Sequence, residues 1–122
     1  MKNSVILGLL FFSGFSLINA QEINVEESII NYGKIKKGSD GDRNFVIENT
    51  GDKPLIITNV QTTCGCTVAE KPTKPILPKK TYNLGVTYDT QRVGPIEKAI
   101  IVESNAKVKS RYTLRIKGEV IE

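Results

Sequence analysis

Residues 81–88 read Thr-Tyr-Asn-Leu-Gly-Val-Thr-Tyr, and their alternation is the clearest structural signal in the chain. Apolar or aromatic side chains occupy every second position from Tyr82 to Tyr88, with small or polar side chains between them. Successive side chains of a β-strand point to opposite faces of a sheet. The period of two therefore predicts a strand with one buried face, which ends at Asp89.

The same alternation recurs further along the chain. It is clear from Tyr112 to Val120, and weaker from Ile96 to Val102, where apolar residues on both faces predict a strand that is partly buried on both sides. Shorter runs rich in β-branched residues occupy residues 43–48 and 54–60. Turn-forming residues separate the runs, at residues 38–42, 49–54, 72–78, 89–95 and 104–106.

These runs predict an all-β fold. If residues 23–32 count as one or two strands, the chain has about seven strands, which is typical of an immunoglobulin-like antiparallel β-sandwich. The chain has no Trp, and its two cysteines are too close in sequence to bridge two sheets. An antibody-type domain is therefore excluded.

The first twenty residues have the pattern of a secretory signal peptide. Lys2 precedes a largely apolar run from Val5 to Ile18, and Ala20 offers a small residue before a cut that would leave Gln21 first. The run is too short and too interrupted for a membrane-spanning helix. The sequence thus predicts residues 1–20 as a signal peptide and residues 21–122 as a single exported domain, periplasmic or secreted, with no transmembrane segment.

Composition argues against catalysis. The 122 residues include no His, and there is no nucleophile elbow, glycine-rich phosphate loop or zinc-protease motif. Since the usual general base is missing, the sequence predicts a protein that is not an enzyme and needs no cofactor. We expect a monomer that has an unknown envelope protein as its partner.

The basic residues give one loose cluster. The net charge is +4, and Lys71, Lys74, Lys79 and Lys80 lie close together in the sequence. A functional interpretation places an acidic partner there, but a solvated loop is the more ordinary explanation and the one we adopt. Nucleic-acid binding is disfavoured by the predicted export and because basic residues are not interleaved with aromatic ones. Three prolines make residues 71–80 a connection between strands, from which Ile76 and Leu77 are expected to pack on the core.

The chain's only cysteines lie in Thr63-Cys64-Gly65-Cys66-Thr67. In an extended segment, Cys64 and Cys66 would project to the same face and could form a strained disulfide, with Gly65 relieving part of the strain. Strained disulfides are labile, which favours a redox role. Against this role, no His and no other thiol is available to assist exchange.

Three other interpretations of the pair stay open. A closed zinc site needs four ligands, whereas copper(I) accepts two thiolates, so a metal site at Cys64 and Cys66 would favour copper. The pair could also be cross-linked to another molecule. An incidental or structural pair is the interpretation that we favour, and then no residue of the chain is catalytic.

Several motifs together resemble one family. The cysteine motif is preceded by Asn49-Thr50-Gly51-Asp52-Lys53-Pro54-Leu55. It is followed by Tyr88-Asp89-Thr90, Gly94 and Ile116-Lys117-Gly118-Glu119-Val120. This combination resembles the DUF1573 family of exported bacterial proteins from about Tyr32 to Val120. The resemblance implies an immunoglobulin-like sandwich similar to ASH and major-sperm-protein modules, and it implies no activity. One departure is Pro78-Lys79, where the family usually has Pro-Gly.

Two classes of function are compatible with the sequence. The first is a non-enzymatic binding or scaffolding module of the cell envelope, because sandwich edges accept an extra strand and sandwich loops accept ligands. The second is a thiol-based role, in redox exchange or copper(I) binding, through Cys64 and Cys66.

Overall fold

The computed structural model describes residues 20–65 and 67–122. The signal peptide predicted at residues 1–20 therefore lies outside the described residues except for Ala20. The described residues form eight strands: β1 (Ile23–Val25), β2 (Ile29–Lys36), β3 (Asp42–Asn49), β4 (Ile57–Thr62), β5 (Thr67–Ala69), β6 (Thr81–Tyr88), β7 (Gly94–Ser104) and β8 (Arg111–Ile121). Among these residues no helix is long and apolar enough to cross a membrane.

The strands form two four-stranded sheets. The first sheet has the order β1-β3-β6-β5 and the second has the order β2-β8-β7-β4. The predicted all-β sandwich is confirmed. One pair departs from the antiparallel pattern, because β2 runs parallel to β8. Parallel neighbours need a long crossover between them, and here most of the domain separates the two strands.

The core lies between the two sheets and is built by the alternation described above. Leu84, Val86 and Tyr88 of β6 are buried, and the residues between them are exposed. In β7, Ile96, Ile100 and Val102 of one face are buried and Ala99 and Ile101 of the other face are half-buried, as predicted, although Glu97 is exposed. The largest fully buried side chains come from both sheets and the connection before β4: Phe45, Ile47, Leu55, Leu84, Ile96, Ile100, Leu114 and Ile116.

Asn49 holds the connection that precedes β6. Its side chain is fully buried, and its Nδ2 donates to the carbonyl oxygens of Lys53, at 2.7 Å, and Ile76, at 2.9 Å. Its Oδ1 accepts from the amide of Gly51 at 3.0 Å. Because a buried amide needs partners for its donors, these bonds fix the connection against β3.

The connection from residue 70 to residue 80 packs through one apolar side chain. Ile76 is buried and forms a bridge with Leu55, with N-to-O distances of 2.8 and 2.9 Å. Leu77, by contrast, is 56% exposed. The expectation that both side chains pack on the core is wrong for Leu77, since the bridge at Ile76 turns the next side chain outward.

Two backbone positions have unusual geometry. Lys79 has a φ of 65°, and no other described non-glycine residue has a positive φ. Its amide donates to the Asn49 carbonyl oxygen at 2.8 Å, and its Nζ donates to the Thr50 carbonyl oxygen at 2.6 Å. In β8, Gly118 faces β2 so closely that an added Cβ would lie 2.8 Å from the Gly33 carbonyl oxygen.

Candidate functional site

The cysteine motif lies where the chain passes from one sheet to the other. β4 is an edge strand of the second sheet and β5 is an edge strand of the first sheet, and Thr63, Cys64, Gly65 and Cys66 connect them. Cys64 and Gly65 lie outside the strands. The extended geometry considered from the sequence is therefore wrong for Cys64 and Gly65, because the chain must turn at this point to change sheets.

Threonines on both sides of the turn hold it in place. The Thr67 amide donates to the Cys64 carbonyl oxygen at 3.3 Å, which closes the turn. The hydroxyl of Thr62 lies 3.1 Å from that carbonyl oxygen and 3.0 Å from the carbonyl oxygen of Thr67. Thr63 pairs with Ala99 of β7 through two hydrogen bonds of 3.2 Å. These bonds give the Thr residues of the motif a structural role.

Cys64 is half-buried and takes part in a disulfide. The only other cysteine in the sequence is Cys66, which lies outside the described residues. The pairing of Cys64 with Cys66 and its chemistry stay predictions. Gly65 is exposed, with open space where a Cβ would lie, so the turn is accessible from solvent.

The described residues offer no metal-binding cluster near this turn. Residues 20–65 and 67–122 contain no group of three or more Cys, Asp or Glu residues that could hold a metal ion. Glu70 and Lys71, the charged residues that follow in the sequence, line a separate groove. Copper(I) binding by the reduced cysteines stays a prediction.

A shifted pKa occurs at Tyr32, on the other edge of the molecule's second sheet. Burial raises the pKa of the Tyr32 hydroxyl above its ordinary value, and the Arg43 guanidinium, 4.2 Å from the ring centre, opposes this shift. The hydroxyl donates to the Gly41 carbonyl oxygen at 2.8 Å, and the ring meets Tyr88 edge to face. These contacts are those of a packed core tyrosine, and they identify no reactive site.

A second candidate site lies at the first sheet's edge, where β5 leaves part of β6 uncovered. β6 has eight residues, but the three residues of β5 pair only with Val86, Thr87 and Tyr88. β3 pairs with β6 along the whole length from Thr81 to Thr87 on the other side. Within the described part of the chain, no strand pairs with Thr81 and Asn83 on the β5 side. The N-terminal half of β6 is thus an open sheet edge.

The hydrogen-bonding direction of β6 identifies the groups at this edge. The Tyr88 amide donates to the Gly41 carbonyl oxygen at 3.1 Å, toward β3. Backbone groups of an antiparallel strand alternate in direction, so Tyr82 and Leu84 also bond toward β3. The backbone N–H and C=O groups of Thr81 and Asn83 therefore point to the open side.

A groove of about 610 Å³ lies beside the start of this edge, where Thr81 and Tyr82 line it. One wall is the connection after β5, and the other is the start of β6. The residues that line the groove include three lysines, one glutamate and an apolar group, namely Lys71, Lys74, Lys80, Glu70, Pro72, Ile76, Leu77 and Tyr82. From the sequence, these lysines were expected in a solvated loop. The signal that could have found the groove is the proline-rich connection, which cannot continue β5 along β6.

The sequence matches the DUF1573 family, described as proteins of unknown function, over residues 23–120. Among curated proteins, none matches the sequence at a significant level.

Solved structures share the fold. A protein of unknown function from Porphyromonas gingivalis W83 is similar with a TM-score of 0.74 and 19% identity, over 84% of this chain and 48% of that chain. This chain thus spans about half of that protein. An ASH/PapD-like domain of human CEP192 is similar with a TM-score of 0.66 and 13% identity, over 84% of this chain and 87% of that chain. The YadV chaperone is similar with a TM-score of 0.61 and 14% identity, over 83% of this chain and 53% of that chain. At these identities the similarity shows a common fold.

Proposed function

The chain belongs to the DUF1573 family of proteins of unknown function, and we propose that it is an exported, non-enzymatic module that binds other proteins by accepting a strand at the open edge of β6. The observation that carries this proposal is that, among the residues that the structure describes, no strand pairs with Thr81 and Asn83 on the β5 side, where the groove begins. An extended peptide there gains main-chain hydrogen bonds, which supply affinity, while the groove selects side chains.

The features of the other sheet edges support β6 as the strand that accepts a peptide. β1 and β5 have three residues each. The pairing of β2 is irregular between Asn31 and Lys34, and the pairing of β4 is irregular between Ile57 and Asn59. Short strands and bulges are features that discourage further pairing at an edge. The pairing of β3 with β6 is continuous, which leaves a regular template on the far side of β6.

The fold similarity is compatible with protein binding. YadV, which shares the fold, is a chaperone, and chaperones act by binding other proteins. Location in the periplasm or outside the cell, removal of residues 1–20 and a monomeric state are parts of the same proposal, and they rest on the signal-peptide pattern and the small single domain.

Amide hydrogen exchange tests strand addition residue by residue. The probe is a peptide selected from a random heptapeptide library against residues 21–122. In the unbound domain, Thr81 and Asn83 should exchange fast, and Tyr82 and Leu84 slowly, because only the latter amides bond to β3. The bound peptide should slow amide exchange at Thr81 and Asn83 by about tenfold or more and leave the exchange rates of Tyr82 and Leu84 unchanged. Failure to enrich any peptide, or protection confined to β2 or β4, would contradict the proposal.

The disulfide at Cys64 favours a second candidate function, thiol–disulfide exchange. In this reaction a Cys64–Cys66 disulfide is reduced to two thiols while a partner dithiol is oxidised to a disulfide, and two electrons and two protons pass from the partner. The solvent-accessible turn around Gly65 would admit such a partner.

A Cys64→Ser, Cys66→Ser double variant discriminates the two functions. A disulfide that closes so small a loop adds little stability, so unfolding free energy should fall by less than about 2 kcal/mol. If strand addition is the function, the variant should bind the selected peptide as the parent does. Intact mass with and without alkylation should show one disulfide in the parent. Loss of peptide binding by the folded variant would favour the thiol function instead. Free thiols in the isolated parent would contradict thiol–disulfide exchange and favour copper(I) binding by the pair.

A further inference from the structure

The groove beside β6 has an excess of positive charge. Lys71 and Lys74 contribute from the connection after β5, and Lys80 contributes from the residue before β6. Glu70 is the only acidic residue among those that line it. All three lysines are exposed, so their ammonium groups can approach a ligand without being desolvated first.

The same groove offers apolar surface between these charges. Ile76 is buried beneath it, Tyr82 is half-buried, and Leu77 presents its side chain to solvent. A polar ligand alone would leave this surface uncovered. A ligand with both negative charge and an apolar side chain would cover it and meet the lysines at the same time.

The open edge sets the form of the ligand. From Thr81 to Gly85 the edge is roughly 13 Å long at the usual strand rise, enough for about four residues of an extended peptide. Side chains of such a peptide alternate between the two faces of the sheet, so a peptide with alternating acidic and apolar residues presents each kind on one face.

From this combination we infer that the strand added to β6 is an acidic, extended segment of a partner protein, with Asp or Glu opposite Lys71, Lys74 and Lys80 and an apolar side chain against Leu77 and Tyr82. The inference rests on the proposed function and specifies its ligand. Opposite charges across such a contact raise the association rate and select among partners.

The same lysines have a competing explanation. Lysines at a sheet edge discourage pairing between copies of a protein, and here they would protect the edge and bind nothing. The two explanations differ in what happens when the charges are reversed. If the groove binds an acidic ligand, charge reversal weakens that binding. If the lysines only protect the edge, charge reversal allows copies of the protein to pair with each other.

The test uses three synthetic peptides with residues 21–122. The first alternates Glu and Val over seven residues, the second has Lys in place of every Glu, and the third is the first with Pro at two central positions. Calorimetry should show that the acidic peptide binds at least about tenfold more tightly than the other two, because one lacks complementary charge and the other cannot pair with β6. Its affinity should fall as salt is added.

Charge reversal supplies the matched variants. The double variant Lys71→Glu, Lys80→Glu should bind the acidic peptide about tenfold or more weakly than the parent does. The control variant Lys34→Glu, Lys36→Glu makes the same change of charge on β2, an edge strand of the other sheet. At physiological salt, where charges far from the groove are screened, its affinity for the acidic peptide should differ from the parent's by less than about twofold. Circular dichroism and gel filtration establish that each variant is folded and report its oligomeric state.

The outcomes distinguish a failure of this inference from a failure of strand addition itself. Equal binding of the acidic and basic peptides, with protection of Thr81 and Asn83, overturns the inference and leaves strand addition standing. Equal binding of the Pro-containing acidic peptide overturns both, because charge alone then suffices. If the parent binds none of the peptides and the Lys71→Glu, Lys80→Glu variant self-associates, the lysines serve edge protection only and the inference fails.

Discussion

Lys79 occupies a backbone conformation that usually belongs to glycine. Its φ of 65° is in the left-handed region, where the Cβ of an L-residue crowds the following carbonyl group at a cost of roughly 1–2 kcal/mol. The family resemblance places a glycine at this position, and the structure explains why. The amide of Lys79 must reach the Asn49 carbonyl oxygen while the chain turns into β6.

Lys79→Gly should therefore stabilise the domain. Relief of the Cβ contact outweighs both the greater flexibility of glycine in the unfolded chain and the loss of the exposed bond from Nζ to Thr50. We expect the unfolding free energy to rise by about 0.5–1 kcal/mol in urea titrations at constant m-value.

Lys79→Ala is the control for this variant. It removes the same Nζ bond but keeps a Cβ at the left-handed position, so it should be no more stable than the parent. If both variants lose stability to the same extent, the conformation of Lys79 is not strained and the explanation is wrong.

Asn49 marks a limit of what a sequence predicts at the level of single residues. The sequence predicts a turn at residues 49–54, whereas in the structure Asn49 is the last residue of β3 and the turn follows it. The full burial of Asn49 was not predicted, because one of the carbonyl groups it binds belongs to Ile76, far along the chain. A polar residue beside a turn has the same local pattern whether its side chain faces solvent or is enclosed by a distant connection.

At the level of elements, the contact between β2 and β8 depends on Gly118. An added Cβ there would lie 2.8 Å from the Gly33 carbonyl oxygen and 2.9 Å from the Tyr32 Cβ, and the φ of Gly118 is 145°. Gly118→Ala should lower the unfolding free energy by about 2 kcal/mol, because a rigid backbone group must move or the strands must separate. Thermal unfolding measures the loss, and faster amide exchange in β2 should accompany it.

Gly85→Ala is the matched substitution in the other sheet. A Cβ there would meet only the Asn44 side-chain oxygen, at an ordinary 3.6 Å, so stability should change by less than about 0.5 kcal/mol. Similar effects of the two substitutions would contradict the argument for close contact at Gly118.

Strands were predicted well where alternation was long, and poorly where it was short. The apolar positions of β6 and β8 follow the sequence pattern residue by residue. Thr67–Ala69, the three residues of β5, are too few to show a period, and they were not predicted as a strand. The open edge of β6 was missed for the same reason, since an edge is defined by where its neighbour stops.

At the scale of the whole molecule, the two-layer sandwich followed from the spacing of strands and turns. The order of strands within each sheet did not, because alternation says which face of a strand is buried but not which strand lies beside it. The cysteine turn is an example. Its residues were evident in the sequence, but its location between an edge of each sheet requires the topology.

The parallel pair of β2 and β8 constrains the order in which the chain can fold. β8 is the last of the eight described strands in sequence order and lies between β2 and β7 in the second sheet. Until Arg111–Ile121 is available, β2 has no partner within its sheet and β7 is covered only by β4. Contacts between segments that are far apart in sequence form slowly, because a long loop must close before the contacts can stabilise the chain. A nascent chain that has not yet released Arg111–Ile121 can therefore not complete this sheet, and folding of the second sheet must wait for β8.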